Sequence, residues 1–144
     1  MRKAAENFCR AEFPARSVNE SFARALVGAF LAQYDPSLGD LCDIKTAVSE
    51  AVTNAIVHGY RESDGNVYIT ISMVGKRRIR ITVKDHGCGI PDIGQAMQPL
   101  FTTDQSGERG GMGFAVMQSF TDRLKVTSKP GKGTTVTMEK TLKS

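Results

Sequence analysis

No apolar run in these 144 residues approaches the roughly 18 that a membrane-crossing helix needs. No membrane partner is therefore expected. The opening Met1-Arg2-Lys3-Ala4-Ala5-Glu6 is basic but has no apolar stretch behind it. That argues against a signal peptide and makes the cytoplasm the expected location. Cysteine is scarce: Cys9, Cys42 and Cys88 lie far apart and form no C-x-x-C. A zinc site or redox motif is thus disfavoured, and reduced thiols are expected. Two nucleotide-binding signatures are missing. No G-K-[ST] closes a glycine-rich loop as in a Walker A motif, and no G-x-G-x-x-G marks a Rossmann fingerprint. Internal repeats, low-complexity tracts and linkers are also absent. The length suits one domain, residues 1–144, large enough to bury a core without metal or disulfide staples.

What is present is ordinary for a globular chain: 40% apolar and 24% charged residues. The net charge is +4. Its densest basic group, Lys76-Arg77-Arg78-x-Arg80, carries no interleaved aromatics, so direct nucleic-acid binding is not expected. A solvated hairpin face is the preferred reading, and attraction to an acidic protein partner the next.

Periodicity orders the elements. Residues 7–14 read as a strand ending at Pro14. Ser17 and Glu20 have capping-box spacing, and Phe22, Leu26, Ala29 and Phe30 share a helical face, predicting a helix over about 18–34. A second helix is expected over about 41–58, with Leu41, Ile44, Val48, Ala51, Val52 and Ala55 inward and Gly59 closing it. Val67, Ile69, Ile71 and Met73 alternate, as do Ile79, Ile81 and Val83, with Gly75-Lys76 between them: a hairpin. Residues 86–111 are rich in glycine and lack a sustained period. Such a long connection is often a functional lid, placed here at about 91–111. A helix over about 112–121 and strands near 125–128 and 134–140 complete the chain. The order predicts an α+β two-layer sandwich, a mostly antiparallel sheet with helices on one face.

Four short motifs carry candidate chemistry. Glu50 and Asn54 stand one helical turn apart beside the apolar stripe. A carboxylate there can accept a hydroxyl proton and an amide oxygen can ligate Mg²⁺, although surface placement fits the spacing as well. Asp85-His86-Gly87-Cys88-Gly89 ends a strand: its glycines permit close backbone approach, and its carboxylate can accept from an exocyclic amine. A plain turn is the alternative. Gly107 to Phe114 places glycines before a helix, where amides reach phosphates, with Arg109 supplying charge. A surface loop is the alternative. Gly131-Lys132-Gly133-Thr134-Thr135 opens the last strand, where a threonine hydroxyl could reach the strand-end aspartate or a simple hairpin turn could suffice.

In this order the motifs E-x-x-x-N, D-x-G-x-G, G-x-G and G-x-G-T resemble the N, G1, G2 and G3 boxes of GHKL ATPases, the Bergerat fold of gyrase B, the heat-shock chaperone and histidine kinases. The resemblance spans roughly residues 41–140. Asn19–Arg24, Ser49–Tyr60, Gln98–Thr103 and Glu108–Phe114 extend it over nearly the whole chain, towards the anti-sigma serine kinases of that family. The resemblance implies a homodimer that binds ATP or ADP with Mg²⁺, holds the sporulation sigma factor F, and phosphorylates its anti-anti-sigma factor, stage II sporulation protein AA. It implies Glu50 as catalytic base, Arg109 as phosphate-facing charge, and Asn54 as Mg²⁺ ligand. Asp85, Gly87, Gly89, Thr103, Gly111, Gly113 and Thr134 would line the nucleotide. Glu20 and Arg24 would face the partner, with helix capping as the other role open to Glu20. His58 and His86 receive no role, and neither sits on a dimerisation helix as a histidine kinase requires. Gly110 replaces a more usual serine, and the chain is more basic than expected of a member. The general-stress anti-sigma kinases share the four boxes; the stretches at 19–24 and 98–103 favour the sporulation type.

Overall fold

A computed structural model describes residues 6–60, 64–90 and 113–143. In chain order the elements are β1 (Asn7–Pro14), α1 (Val18–Ala32), α2 (Leu38–Thr53), a π-helical turn (Asn54–Gly59), β2 (Asn66–Met73), β3 (Arg78–Asp85), α3 (Gly113–Ser119), β4 (Arg123–Lys129) and β5 (Gly133–Thr141). The strands form one sheet in the order β1-β2-β3-β5-β4, and every pairing is antiparallel. The α+β sandwich expected from the element order is the observed architecture.

Strand side chains alternate between faces. Val67, Ile69, Ile71, Met73, Ile79, Ile81 and Val83 are therefore buried together, while the residues between them stay partly open. The register sets Ile69 opposite Val83, Ile71 opposite Ile81 and Met73 opposite Ile79. Full burial of each such side chain contributes on the order of 2 kcal/mol. This face consequently needs a second layer. Ala23, Val27, Phe30 and Leu31 of α1, Ile44, Ala47, Val48, Ala51 and Val52 of α2, and Phe114 and Met117 of α3 supply it.

Three details differ from the periodicity reading. The buried face of α1 is shifted by one residue: Phe22 is half exposed and meets Phe13 edge-on at 5.9 Å, and Leu26 is only partly buried. Both faces have helical spacing, and the smaller Ala23 lets α1 come closer to the core. Second, α2 begins a turn earlier than expected. Ser37 is its N-cap, accepting from the Asp40 amide at 3.1 Å. Third, Ser17 precedes α1 in helical conformation and its side chain makes no cap bond, so the capping box does not form. Glu20 turns instead to Ser49 and Arg24.

The basic cluster is also more structural than a solvated face. Arg77, in left-handed conformation at φ 58°, donates to the Tyr34 carbonyl at 3.0 Å and to the Lys143 carbonyl at 2.9 Å. Arg78 donates twice to Glu139 Oε1, at 2.9 and 2.6 Å, and Arg80 donates to Oε2 at 2.8 Å. Burial opposes ionisation of Glu139, but these hydrogen bonds outweigh it and hold its carboxyl below the usual glutamate range.

A carboxylate whose folded pKa lies below its unfolded value stabilises the fold above that unfolded value. The contribution fades as pH falls through the folded pKa. We expect Glu139→Gln to cost roughly 1–3 kcal/mol at neutral pH, the range for hydrogen bonds to charged groups. Urea melts at several pH values should show this difference shrinking below about pH 4.3.

Candidate functional site

The helix formed by α2 and the π turn gathers the candidate residues. Glu50 lies in the last turn of α2 and Asn54 opens the π turn. A Cβ built on Gly113, the first residue of α3, would stand 3.0 Å from Asn54 Nδ2, 3.2 Å from its Oδ1 and 3.3 Å from Glu50 Oε2. The start of α3 thus rests directly on both side chains. Glu50, Asn54 and Gly113 thus meet in space.

Asp85 sits at the other end of the same helix. It closes β3, is only 5% exposed, and lies over Gly59, where a Cβ would come within 2.9 Å of its carboxyl atoms. Burial raises the pKa of Asp85; the backbone amides of Gly87 and Thr134 and the nearby His86 pull the other way. The Gly87 amide donates to Asp85 Oδ1 at 2.9 Å. The π turn explains why Gly59 is the residue beneath Asp85. Its bonding from the Tyr60 amide to the Ala55 carbonyl, at 3.1 Å, spans five residues rather than four. Gly59 thereby takes the place relative to Asn54 that His58 would have in an α-helix. From Glu50 to Gly59 the helix rises roughly 14 Å.

The glycines of the G1 box do allow close approach, but in this structure the approaching groups belong to the chain itself. A Cβ on Gly87 would fall 1.9 Å from the Gly59 carbonyl oxygen. Gly89, at φ 76°, faces the Lys129 carbonyl in the same way, with 2.2 Å available. The Cys88 amide donates to the Gly59 carbonyl and the Gly131 amide to the Cys88 carbonyl, both at 2.6 Å.

Thr134 also differs in detail. It is the β5 partner of Asp85. Its amide, not its hydroxyl, is the group that acts on the carboxylate. The hydroxyl lies 2.8 Å from Ser128 Oγ, which donates to the Gly133 carbonyl at 3.0 Å and accepts from the Ile90 amide at 2.7 Å. With its own proton and one lone pair so used, Ser128 is left to accept from Thr134.

Sequence reasoning missed three residues here. Ser128 anchors the chain leaving the G1 box. Gly59, read only as a helix stop, is the seat of Asp85. Tyr60 accepts from the His86 amide at 2.8 Å and donates to the Asn66 carbonyl at 2.6 Å, fixing the end of β3. The pair Gly59-Tyr60 directly after an E-x-x-x-N helix was the only available signal. Thr103, Arg109 and Gly111, together with the lid at 91–111, lie outside the described residues. Among the described residues, no three His, Cys, Asp or Glu side chains gather as a metal site. A hard divalent cation here would take oxygen from Asn54 and from its own phosphate and water ligands, as Mg²⁺ commonly does.

Solved structures place this architecture in a known class. The catalytic domain of the histidine kinase ThkA aligns with 93% of this chain and 96% of its own, with a TM-score of 0.59 at 19% identity. The RsbU and RsbW domains of a Mycobacterium tuberculosis protein align with 94% of this chain and 32% of theirs, with a TM-score of 0.70 at 23% identity. The fold is that of the nucleotide-binding histidine kinase-like ATPases, and residues 13–140 match the family described as Histidine kinase-like ATPase domain.

Sequence relatives narrow the class. The chain is 55% identical over 134 residues to an anti-sigma F factor of Thermoanaerobacter pseudethanolicus, covering 93% of each. It is 50% identical over 138 residues to that of Bacillus licheniformis, covering 95% and 94%. The Geobacillus kaustophilus protein is 54% identical over 130 residues, covering 90% and 88%. This chain belongs to the anti-sigma F factor family of histidine kinase-like ATPases.

The glycine contacts yield a paired prediction. Gly87→Ala forces a methyl into the Gly59 carbonyl and should lower stability by roughly 2–4 kcal/mol. Gly39→Ala, in the first turn of α2 with nothing within 4 Å of the added carbon, should be neutral or stabilising by up to about 1 kcal/mol. Chemical denaturation of the two variants beside the parent checks both.

Proposed function

We propose that this chain is an ATP-dependent anti-sigma factor that binds the sporulation sigma factor F and phosphorylates the corresponding anti-anti-sigma protein on serine. A single domain carries both tasks, and two copies form the working unit. The observation that carries the reading is the meeting of three motifs on one helix. Gly113 rests on Glu50 and Asn54, and Asp85 rests on Gly59. The stretch between those contacts suits an extended nucleoside triphosphate.

In this reading Asp85 accepts from the adenine amino group. Burial raises its pKa, and the Gly87 and Thr134 amides act against that shift. Gly87, Gly89 and Thr134 hold that carboxylate and its surroundings in place. Asn54 offers an amide oxygen to Mg²⁺. Gly113 would flank the phosphates, and the family resemblance assigns Thr103, Arg109 and Gly111, outside the described residues, to the same role. Bound Mg²⁺–ATP supplies the transferable γ-phosphoryl group and most of the charge neutralisation. Glu50 orients the partner's serine hydroxyl and accepts its proton as the oxygen attacks. Phosphoryl transfer asks for little else from a protein beyond such positioning and charge. Glu20 and Arg24, on α1 facing α2, present a charged pair at 3.7 Å to the partner. The names of the sequence relatives support the sigma-factor assignment.

Two measurements test this. The protein purified with candidate sigma and anti-anti-sigma proteins should hold the sigma factor more tightly in ATP than in ADP. It should also place phosphate on serine of the anti-anti-sigma protein; absence of phosphoserine would overturn the kinase assignment. Second, Glu50→Ala should abolish transfer, a fall of 10²-fold or more, while calorimetric ATP affinity stays within about twofold. Asn54→Ala should instead weaken ATP binding in Mg²⁺ and leave the Mg²⁺-free titration little changed.

A further inference from the structure

Ser49 immediately precedes Glu50 on α2, and its hydroxyl is turned to α1. It donates to Glu20 Oε1 on α1, a residue 29 positions earlier. The second oxygen of that carboxylate, Oε2, pairs with Arg24 at 3.7 Å. One carboxylate therefore serves two masters: an α2 hydroxyl on one side and an α1 guanidinium on the other. All this lies along an open groove of about 560 Å³ between the helices, whose lining includes Arg24, Lys45, Ser49 and Glu50.

Ala23, Val27, Ala47 and Ala51 of the two helices belong to the same buried core, and the Lys45 side chain of α2 runs beside Gly28 of α1. Small apolar side chains allow helices to slide and turn over one another at little cost. A directional hydrogen bond does not, because it weakens steeply when bent. Ser49–Glu20 thus fixes the height and rotation of α2 one residue before the candidate base.

We propose that Ser49 is a positioning residue for phosphoryl transfer, acting through Glu20 to hold Glu50 at the place where it meets the partner's serine. This rests on the kinase reading above and adds a regulatory consequence. The Glu20–Arg24 pair is an i,i+4 pair with the arginine side chain 45% exposed, an arrangement that holds weakly. An acidic group of the partner arriving at Arg24 competes with Glu20 for the guanidinium and leaves Glu20 wholly to Ser49. Docking at the surface of α1 is thereby felt at Glu50 through two hydrogen-bonding groups and no movement of the nucleotide.

The test uses the full chain, ATP with Mg²⁺, and the anti-anti-sigma protein as phosphoacceptor. Ser49→Ala should lower kcat about tenfold or more at saturating partner, with ATP affinity and the KM for ATP unchanged. Misplacement of reacting groups by about 1 Å is enough for such a loss. Ser49→Thr, which keeps the hydroxyl, should recover most of the rate. Glu20→Ala should lower kcat at saturating partner by the same factor as Ser49→Ala, and the double variant should fall no further. Additive losses in the double variant, or a wild-type kcat in Ser49→Ala, would overturn the proposal while leaving the kinase reading intact. A parallel drop in ATP affinity would overturn it too, since the role would then be general to the fold. Absence of transfer by the parent chain is a different result, and it would remove the kinase reading itself.

Discussion

The contact between the Asp85 carboxylate and Gly59 is the point on which the rest of the site depends. A buried carboxylate is costly unless its oxygens are engaged. Here burial is the larger effect and raises the pKa, while the Gly87 and Thr134 amides offset part of it. The arrangement requires the end of β3, the end of the π turn and the start of β5 to approach within a distance that no side chain permits. Gly59, Gly87 and Gly133 each occupy a spot where an added Cβ would lie 2.9 Å or less from Asp85 or from the Gly59 carbonyl. Tyr60 then locks the position by bonding both the His86 amide and the Asn66 carbonyl. Sheet and helix are joined at this knot, and everything placed along the helix inherits its position from it.

Much of this was legible in the chain, for identifiable reasons. The hairpin of β2 and β3 follows from strict alternation, Val67 to Met73 and Ile79 to Val83, which admits no helical reading. The second helix followed from Ile44, Val48, Ala51 and Val52. The motifs E-x-x-x-N and D-x-G-x-G are legible as residue spacings, and the fold sets Gly113 beside Glu50 and Asn54 and Asp85 beside Gly59. Periodicity was weaker on α1, since Phe22-Leu26-Phe30 and Ala23-Val27-Leu31 are equally regular; burial, not spacing, separates them. The Ser17–Glu20 capping box had the right spacing too, but a glutamate with a hydroxyl partner across the groove has two ways to satisfy itself. Local pattern cannot weigh a contact made 29 residues away.

The basic cluster shows the same limit from the electrostatic side. Counted along the chain, Lys76 to Arg80 look like a free positive patch. In the fold, Arg78 and Arg80 converge on one carboxylate across the β3–β5 ladder, and Arg77 ties the hairpin to the end of α1 and to the C-terminal segment. One carboxylate offsets only part of this charge, but the guanidinium donors are engaged within the molecule, so the cluster has a structural role that its order along the chain does not show.

The π turn carries the argument one step further. An unbroken α-helix would have continued the Glu50–Asn54 face through His58, putting an imidazole where the structure has Gly59. A side chain there would exclude the Asp85 carboxylate, as the 2.9 Å clearance at Gly59 demonstrates. Inserting one extra residue into the turn therefore exchanges a histidine for a glycine at the decisive place. It does so without disturbing Glu50 and Asn54, which lie before it. The sequence cue is faint, because His58 and Gly59 are adjacent and either could end an ordinary helix. What selects the wider turn is tertiary. The Gly59 carbonyl accepts from Cys88 at 2.6 Å, and Tyr60 must reach the His86 amide. Those bonds accompany the five-residue closure of the helix, so the end of β3 and the end of the helix are fixed together.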